Sequence, residues 1–430
     1  MTLTDLRSAA AVPTTAWLRP GLALAALGWG ANQFAPLIVL YQQRFGLSQA
    51  VVNAIFGLYA LGLIPALLIG GRVSDRIGRR PVVLAALGLS ALATVLLMIG
   101  SIETVWLAPG RTLSGVASGL AFGTGAAWLK ELSAESGGAS AGPRRATVTM
   151  TIGFGAGPLV AGVCAQWLPN PAVTAYVPHL FLLCVATVAL LRAPDPARVA
   201  TGPLDRADQD TAVLGQHLRT VLLPFAPWVF GTAALALAYL PALVARTHAE
   251  YGVLFGAVAT ALTALTGVLA QPLAQRINRP GRTRPLTVAM LPVLSGIACA
   301  AWAAVAATPL LVLLACALLG VAYGVTQFTG LVEVQRVAPA HRLGTATAAY
   351  QVLSYLGFAL PYLLSLAQTQ LHATPTTLLL AVLGLAAALT AWLTLTYRRA
   401  AATAARNARN ADPRRPSLAP EDDSGAVCTS

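Results

Sequence analysis

Long apolar runs separated by short polar breaks set the pattern of this chain. Runs near span length occupy residues 17–41, 49–70, 81–100, 104–128, 146–168, 176–192, 221–245, 251–273, 285–306, 308–333, 344–367 and 375–397. A hydrocarbon core of about 30 Å is crossed by about 20 apolar residues in a helix. The pattern therefore predicts an all-α membrane protein with twelve transmembrane helices. Glycine and proline recur inside the runs, which membrane helices tolerate. Three stretches read as aqueous: residues 1–16, 193–220 and 398–430. The expected organisation is two pseudo-symmetric six-helix bundles, 1–192 and 221–397. Residues 193–220 would be a cytoplasmic linker and 398–430 a disordered cytoplasmic tail. The first apolar run is too long for a signal peptide and is followed by more, so it reads as a retained span.

The two halves echo each other. SGVASG at 114–119 matches LGVAYG at 319–324, VSDRIGR at 73–79 matches LAQRINR at 273–279, and GFGAGP at 153–158 resembles LGFALP at 356–361. Offsets of about 200–205 residues fit a duplicated unit, a recurrent design of secondary transporters.

Composition agrees with a membrane class. Apolar residues make up 57% of the 430-residue chain and charged residues 10%, against about 45–50% and about 25% in soluble domains. The net charge of +13 could point to nucleic acid, but its placement explains it otherwise. With twelve spans and a cytoplasmic N-terminus, nearly all the arginines and the single lysine fall on inner segments, six of them in the tail; only Arg44 and Arg246 lie outside and Arg111 lies within a span. That asymmetry follows the positive-inside rule. It places both termini in the cytoplasm of a plasma (inner) membrane, with the lipid bilayer rather than nucleic acid as partner. Cys164, Cys184, Cys299 and Cys316 lie singly in apolar runs, and Cys428 lies in the tail. They suggest no metal site or disulfide framework.

A dense polar knot, GGRVSDRIGRRP at 70–81, sits between the second and third runs. Gly71, Asp75, Arg76, Gly78, Arg79 and Arg80 match the signature loop of the major facilitator superfamily, which this chain resembles over all but its tail. The resemblance implies two six-helix bundles rocking about a central site by alternating access, with this loop as a cytoplasmic latch. It places Asp75 on the N-terminus of span eleven, near Gly344 and Thr345, where the helix dipole favours a carboxylate. It also pairs Arg79 with Glu131. The plainer alternative is that these arginines only set topology.

Two further motifs bear on function. Arg111, Gly115 and Gly119 resemble the family's span-four motif, with Ser114 where glutamine is usual. An arginine at that depth costs about 2.5–3.5 kcal/mol or more on insertion scales, so it should face protein or a watery cavity, or else snorkel outward. Its repeat counterpart is Cys316. Span five carries Gly153, Gly157, Pro158 and Gly162, resembling the motif that marks exporters, with Ala161 in place of one glycine. A generic small-residue packing face would look the same.

The chemistry of coupling is sparse. No acid lies at the centre of a span, and span one has Trp29, Asn32, Gln33 and Phe34 where many drug–proton antiporters carry one. Glu333 and Asp75 are the candidate proton carriers; His179 reads as an interfacial residue near an outer helix end. Trp29, Asn32, Gln33, Asn53, Arg111, Tyr323, Gln327, Tyr350, Gln351 and Tyr355 are the candidate cavity residues, though helix–helix hydrogen bonding explains polar side chains equally well. A cavity with Arg111 and no central carboxylate suits neutral or anionic amphiphiles.

The only lysine, Lys130, is followed by Glu131, so no phosphate-cradling loop is present and an ATP-driven pump is excluded. No paired nucleophile and base or metal-ligand cluster marks an enzyme, and no cofactor is expected. The reading is a monomeric secondary exporter of a small amphipathic compound, driven by protons; an importing symporter of the same fold is the alternative.

Overall fold

The computed structural model describes residues 15–137, 141–193, 215–245, 248–279, 285–306, 308–338 and 343–410. Every regular element among them is helical. In the first half these are α1 (Leu18–Asn32), α2 (Leu37–Phe45), α3 (Gln49–Ile77), α4 (Arg79–Ile99), α5 (Leu107–Gly137), α6 (Ala141–Trp167), the short α7 (Pro171–Thr174) and α8 (Val177–Leu191). In the second half π-helical and short turns lead into α9 (Pro227–Ala234) and α10 (Leu240–Ala245). There follow α11 (Gly252–Leu269), α12 (Gln271–Ile277), α13 (Pro285–Ala306), α14 (Pro309–Val337), α15 (Leu343–Tyr355), α16 (Leu360–Leu371) and α17 (Pro375–Asn410).

Eleven helical segments among the described residues are long and apolar enough to cross a membrane. The expected fourth span is not among them. It forms the 31-residue α5, long enough to cross, but Arg111, Thr112, Ser114 and Ser118 lower its apolarity. Most of the linker and residues 411–430 lie outside the described residues. The last helix runs past residue 397 through Asn410, because the Ala- and Arg-rich stretch 398–410 is a strong helix former. The expected start of the tail at 398 is therefore still helical.

Local chemistry accounts for the helix ends. Ser48 caps α3 by accepting the Val51 N–H at 3.3 Å, satisfying one orphan donor of the first turn. Gly78 joins α3 directly to α4 at φ 102°, a conformation open to glycine but strained for other residues. The knot is therefore a one-residue hinge rather than a loop.

The sequence echoes perform matching packing work. Gly115 and Gly119 of α5 lie against the backbone of Tyr59 and Leu63 in α3, so close that a methyl group at either would fall on it. Gly320 and Gly324 of α14 lie the same way on Thr263 and Gly267 of α11. Gly153 abuts the Ala25 carbonyl and Gly357 the Pro227 carbonyl. Small residues let membrane helices approach where apolar burial supplies no driving force. Large apolar side chains such as Phe181, Leu265, Trp302 and Leu310 are exposed on the outer surface, as lipid contact requires.

Between the halves, α3 packs on the segment α15–α16, and α6 packs on α11. The end of the molecule carrying Gly78 is called the knot face here, and the opposite end the far face.

Candidate functional site

The site grows from a break in the first span. Pro36 has no N–H to offer the Asn32 carbonyl, and the Ala35 N–H bonds Asn32 instead, at 3.0 Å. The chain turns through residues 33–36 before α2 resumes. A backbone break at membrane depth must find its partners inside the protein. Arg111 of α5 supplies one: its Nη1 donates to the Ala31 carbonyl at 2.8 Å. Ser114 donates to the Gly30 carbonyl at 3.2 Å. The Arg111 guanidinium is 1% exposed and sits over the rings of Tyr59, Phe34 and Phe56, 4.6, 5.2 and 5.3 Å from their centroids. Aromatic faces stabilise a desolvated cation. No carboxylate pairs with it among the described residues, and its Nε has no partner.

His179 lies on the other side of the same break. It is fully buried, which corrects its reading as an interfacial residue. The short α7 re-enters before α8, carrying His179 inward against α1 and α4. Its Nε2 lies 3.0 Å from the Ala26 carbonyl. Its Nδ1 lies 2.9 Å from Gln33 Nε2 and 2.8 Å from Thr94 Oγ1. Trp29 stacks nearly parallel to the imidazole, with centroids 6.4 Å apart. Asn32 is half-buried beside them.

An aromatic cluster joins this region to the second half. Phe230 stacks on Tyr355 with centroids 4.2 Å apart, and it also meets Tyr323 and Phe358. Phe358 in turn contacts Phe56 and Tyr59 of α3. Gln327 donates to Gln351 at 3.2 Å, and its Oε1 has no partner. Tyr350 is instead fully buried away from this group, packed on Gly330, with its hydroxyl donating to the Thr326 carbonyl at 3.2 Å.

At the far face, hydrogen bonds cross between the halves. Asn53 Nδ2 donates to Ser365 Oγ at 2.8 Å and to the Pro361 carbonyl at 3.3 Å. Gln166 Nε2 donates to the Glu250 carbonyl at 2.7 Å. Gly162 lies against Ala257 of α11. Along the same helix, Gly153 and Gly157 lie against Ala25 and Trp29, with Pro158 inside the helix.

At the knot face, Arg79 bonds Asp75 at 2.7 Å, Ser74 at 2.6 Å and Glu131 at 3.1 Å. Asp75 is exposed and its described partner is Arg79, four residues on, rather than the start of α15. Arg80 donates to the Leu191 carbonyl. Gly71 and Arg76 are exposed. In the second half Glu333, 6% exposed, lies 3.2 Å from His217 Nε2 and 3.9 Å from Arg336, and Tyr397 donates to it at 3.4 Å. The structure thus places Glu333 buried among helix ends. Among the described residues no group of three His, Cys, Asp or Glu side chains could hold a metal ion.

The sequence names Phe34 in span one without assigning it to the site and does not single out Phe56, Tyr59, Phe230 or Phe358, because polar side chains in the runs carried the candidate cavity. Sequence reasoning missed the position of His179 because the run holding it starts beside an outer turn. An ionisable residue inside an apolar run was the available signal.

Comparison with known proteins agrees with this architecture. Residues 20–362 match the Major Facilitator Superfamily. The multidrug resistance protein MdtL of Escherichia coli is 33% identical over 84 residues, which is 20% of this chain and 21% of that protein. The match spans about a fifth of the curated relatives' length. Among solved structures, a variant of the nucleoside transporter NupG superposes with a TM-score of 0.71 at 12% identity, covering 89% of this chain and 99% of that one. The POT family transporter PepTSo gives a TM-score of 0.67 at 13% identity, over 90% and 98%. These neighbours are transporters rather than enzymes, and their likeness extends to the fold alone. The helices, the glycine-packed repeats and the knot converge with the sequence match over residues 20–362: this multi-pass membrane protein belongs to the Major Facilitator Superfamily.

Proposed function

We propose that the chain is a secondary active transporter that exports a small amphipathic compound in exchange for protons by alternating access. In this reading α5 is the fourth of twelve crossings. Residues 1–192 and 221–397 form two six-helix bundles joined by the linker 193–220, and the protein works as a monomer. The arginine asymmetry supports a knot face and both termini in the cytoplasm, with the protein in the plasma membrane.

The observation that carries the reading is the placement of the cross-half hydrogen bonds. The three described, two from Asn53 and one from Gln166, all lie at the far face. Arg79, Asp75 and Glu131 meanwhile pair within the first half. This arrangement supports a state sealed outside and released inside. In the opposite state Asp75 would leave Arg79 for the start of α15, where helix N–H groups await a carboxylate.

Trp29, Asn32, Gln33, Tyr323, Gln327, Gln351 and Tyr355 would line the substrate path, with the aromatic cluster taking the apolar part of the compound. Gly153, Gly157, Pro158 and Gly162 would hold the far gate closed. Export is favoured over import by that glycine–proline face and by the MdtL match. The importing symporter remains the second reading, supported by structural neighbours described as nucleoside and peptide transporters.

Everted vesicles holding the full chain test the proposal. An imposed inward-acid gradient should drive accumulation of neutral and anionic fluorescent amphiphiles. Flux that ignores the gradient would refute proton drive, and uptake only in right-side-out vesicles would reverse the direction.

A further inference from the structure

A proton-driven cycle needs a titratable group inside the membrane that senses the moving parts, and the spans hold no central carboxylate. Glu333 and the Asp75 cluster lie at helix ends. Among the described histidines and carboxylates, His179 is the one that combines full burial with contact to the span-one break.

Its bonding pattern is specific. The Ala26 carbonyl can only accept, so the hydrogen of the neutral ring sits on Nε2. Nδ1 is then an acceptor, and Gln33 Nε2 donates to it. Thr94 Oγ1 lies 2.8 Å from both Nδ1 and the Ser90 carbonyl, and its hydroxyl has one hydrogen to give. Gln33 Oε1 is buried without a partner.

A second proton on Nδ1 turns it from acceptor to donor. The Thr94 oxygen can take that bond while its own hydrogen goes to Ser90. A half-turn of the Gln33 amide exchanges its NH2 for the unpartnered Oε1. Nδ1 then has an acceptor in its protonated form, while the rotated NH2 takes the unpartnered position that Oε1 leaves.

The surroundings leave the proton without a competing acid. From α1 the imidazole is faced by Trp29 and Gln33, and from α4 by Ser90 and Thr94. The α5 cation Arg111 is tied to the Ala31 carbonyl, two residues from Trp29. Tyr176 precedes α8 and bonds Tyr41 of α2 at 3.0 Å. The charged side chains of α6, Arg144 and Arg145, stand in its first turn, and α7 has none. Gln33 is the residue that ends α1, and Trp29 rests on Gly157. A change at Nδ1 therefore acts on the break at residues 33–36 through Gln33 and, through the stacked Trp29, on the glycine–proline face.

We propose that His179, with the Gln33 amide as its switchable partner, is the proton-carrying site of the transport cycle. The assignment rests on the proton-coupled reading above and deepens it.

The full chain in lipid nanodiscs, labelled with nitrogen-15 histidine, tests it with the proton as probe. The imidazole signal lost in His179→Gln should be the Nε2–H tautomer at pH 8 and begin converting to imidazolium as the pH is lowered toward 4. Spin labels on Arg72→Cys and Arg276→Cys, in a background without other cysteines, should report a knot-face distance that changes in step. The change should vanish in His179→Gln and persist in His372→Asn. In Gln33→Met, which keeps the imidazole, conversion should move to lower pH. A ring that shows no imidazolium at pH 4 in folded protein, or a His179→Gln protein that keeps its pH response, overturns the proposal. Gradient-independent flux in vesicles, with His179 still titrating and still moving the labels, would instead fault the transport reading.

Discussion

Arg111 donates to the Ala31 carbonyl at 2.8 Å, and 205 positions later Cys316 directs its thiol at the Ala236 carbonyl at 3.6 Å. The same bond recurs in both halves with different chemistry. In each case it serves an interrupted helix: the turn at residues 33–36 in the first half and the π-helical turn Leu235–Tyr239 in the second. A thiol is a weak donor, which suffices for a π turn that keeps a continuous helix. The wider break before Pro36 takes a guanidinium.

Arg111→Ala should therefore destabilise the protein by about 1–3 kcal/mol, the range for an orphaned buried polar group. Arg111→Lys should recover little of it, because an ammonium lacks the planar face that meets Tyr59, Phe34 and Phe56. Thermal unfolding in detergent checks both. Unchanged melting of Arg111→Ala would remove this role.

Asn53→Ala deletes two hydrogen bonds across the far face. At about 0.5–1.5 kcal/mol each, their loss should shift the gate population about tenfold toward opening outside. Distance measurements between labels at Glu103 and His372, both exposed at far-face turns, should show a longer component appear. An unchanged distance distribution would dismiss Asn53 as a clasp.

Gly115→Ala should weaken the contact of α3 with α5, since the added methyl falls on the Tyr59 backbone. Overpacking of this kind costs about 1–3 kcal/mol. Gly155→Ala is the control, because a methyl there meets open space. Equal melting temperatures for the two variants would contradict the close-approach argument.

Arg79→Ala should alter stability by less than about 1 kcal/mol, as partly exposed ion pairs contribute little, yet depress transport strongly because it breaks contacts to Asp75, Ser74 and Glu131 together. The comparison of melting temperature with vesicle flux checks this. A loss of stability matching the loss of flux would make the cluster a structural brace.

Much of the architecture was legible before any coordinates. Hydropathy marked the helices, and the matches at 114–119 and 319–324 marked the glycines that later proved to face Tyr59, Leu63, Thr263 and Gly267. The pairing of Arg79 with Glu131 was reached from the family resemblance, not from periodicity. Tyr350 and Tyr355 look alike in sequence, yet one is wedged on Gly330 and the other stacks on Phe230 at the junction of the halves. Both belong to α15, where a separation of five residues turns the two side chains about 140° apart around the helix axis.

The order of apolar runs, the bias of arginine to one side and the glycine spacing are properties of the chain alone, because the bilayer and the helix impose them locally. The break at residues 33–36, the burial of His179 and the ring of aromatics around Arg111 are not. Each depends on which helix stands beside which, and a polar side chain in an apolar run takes its partner from whatever neighbour the packing supplies. Only the assembled helices decided that Ala31, Gln33 and Thr94 would be those neighbours.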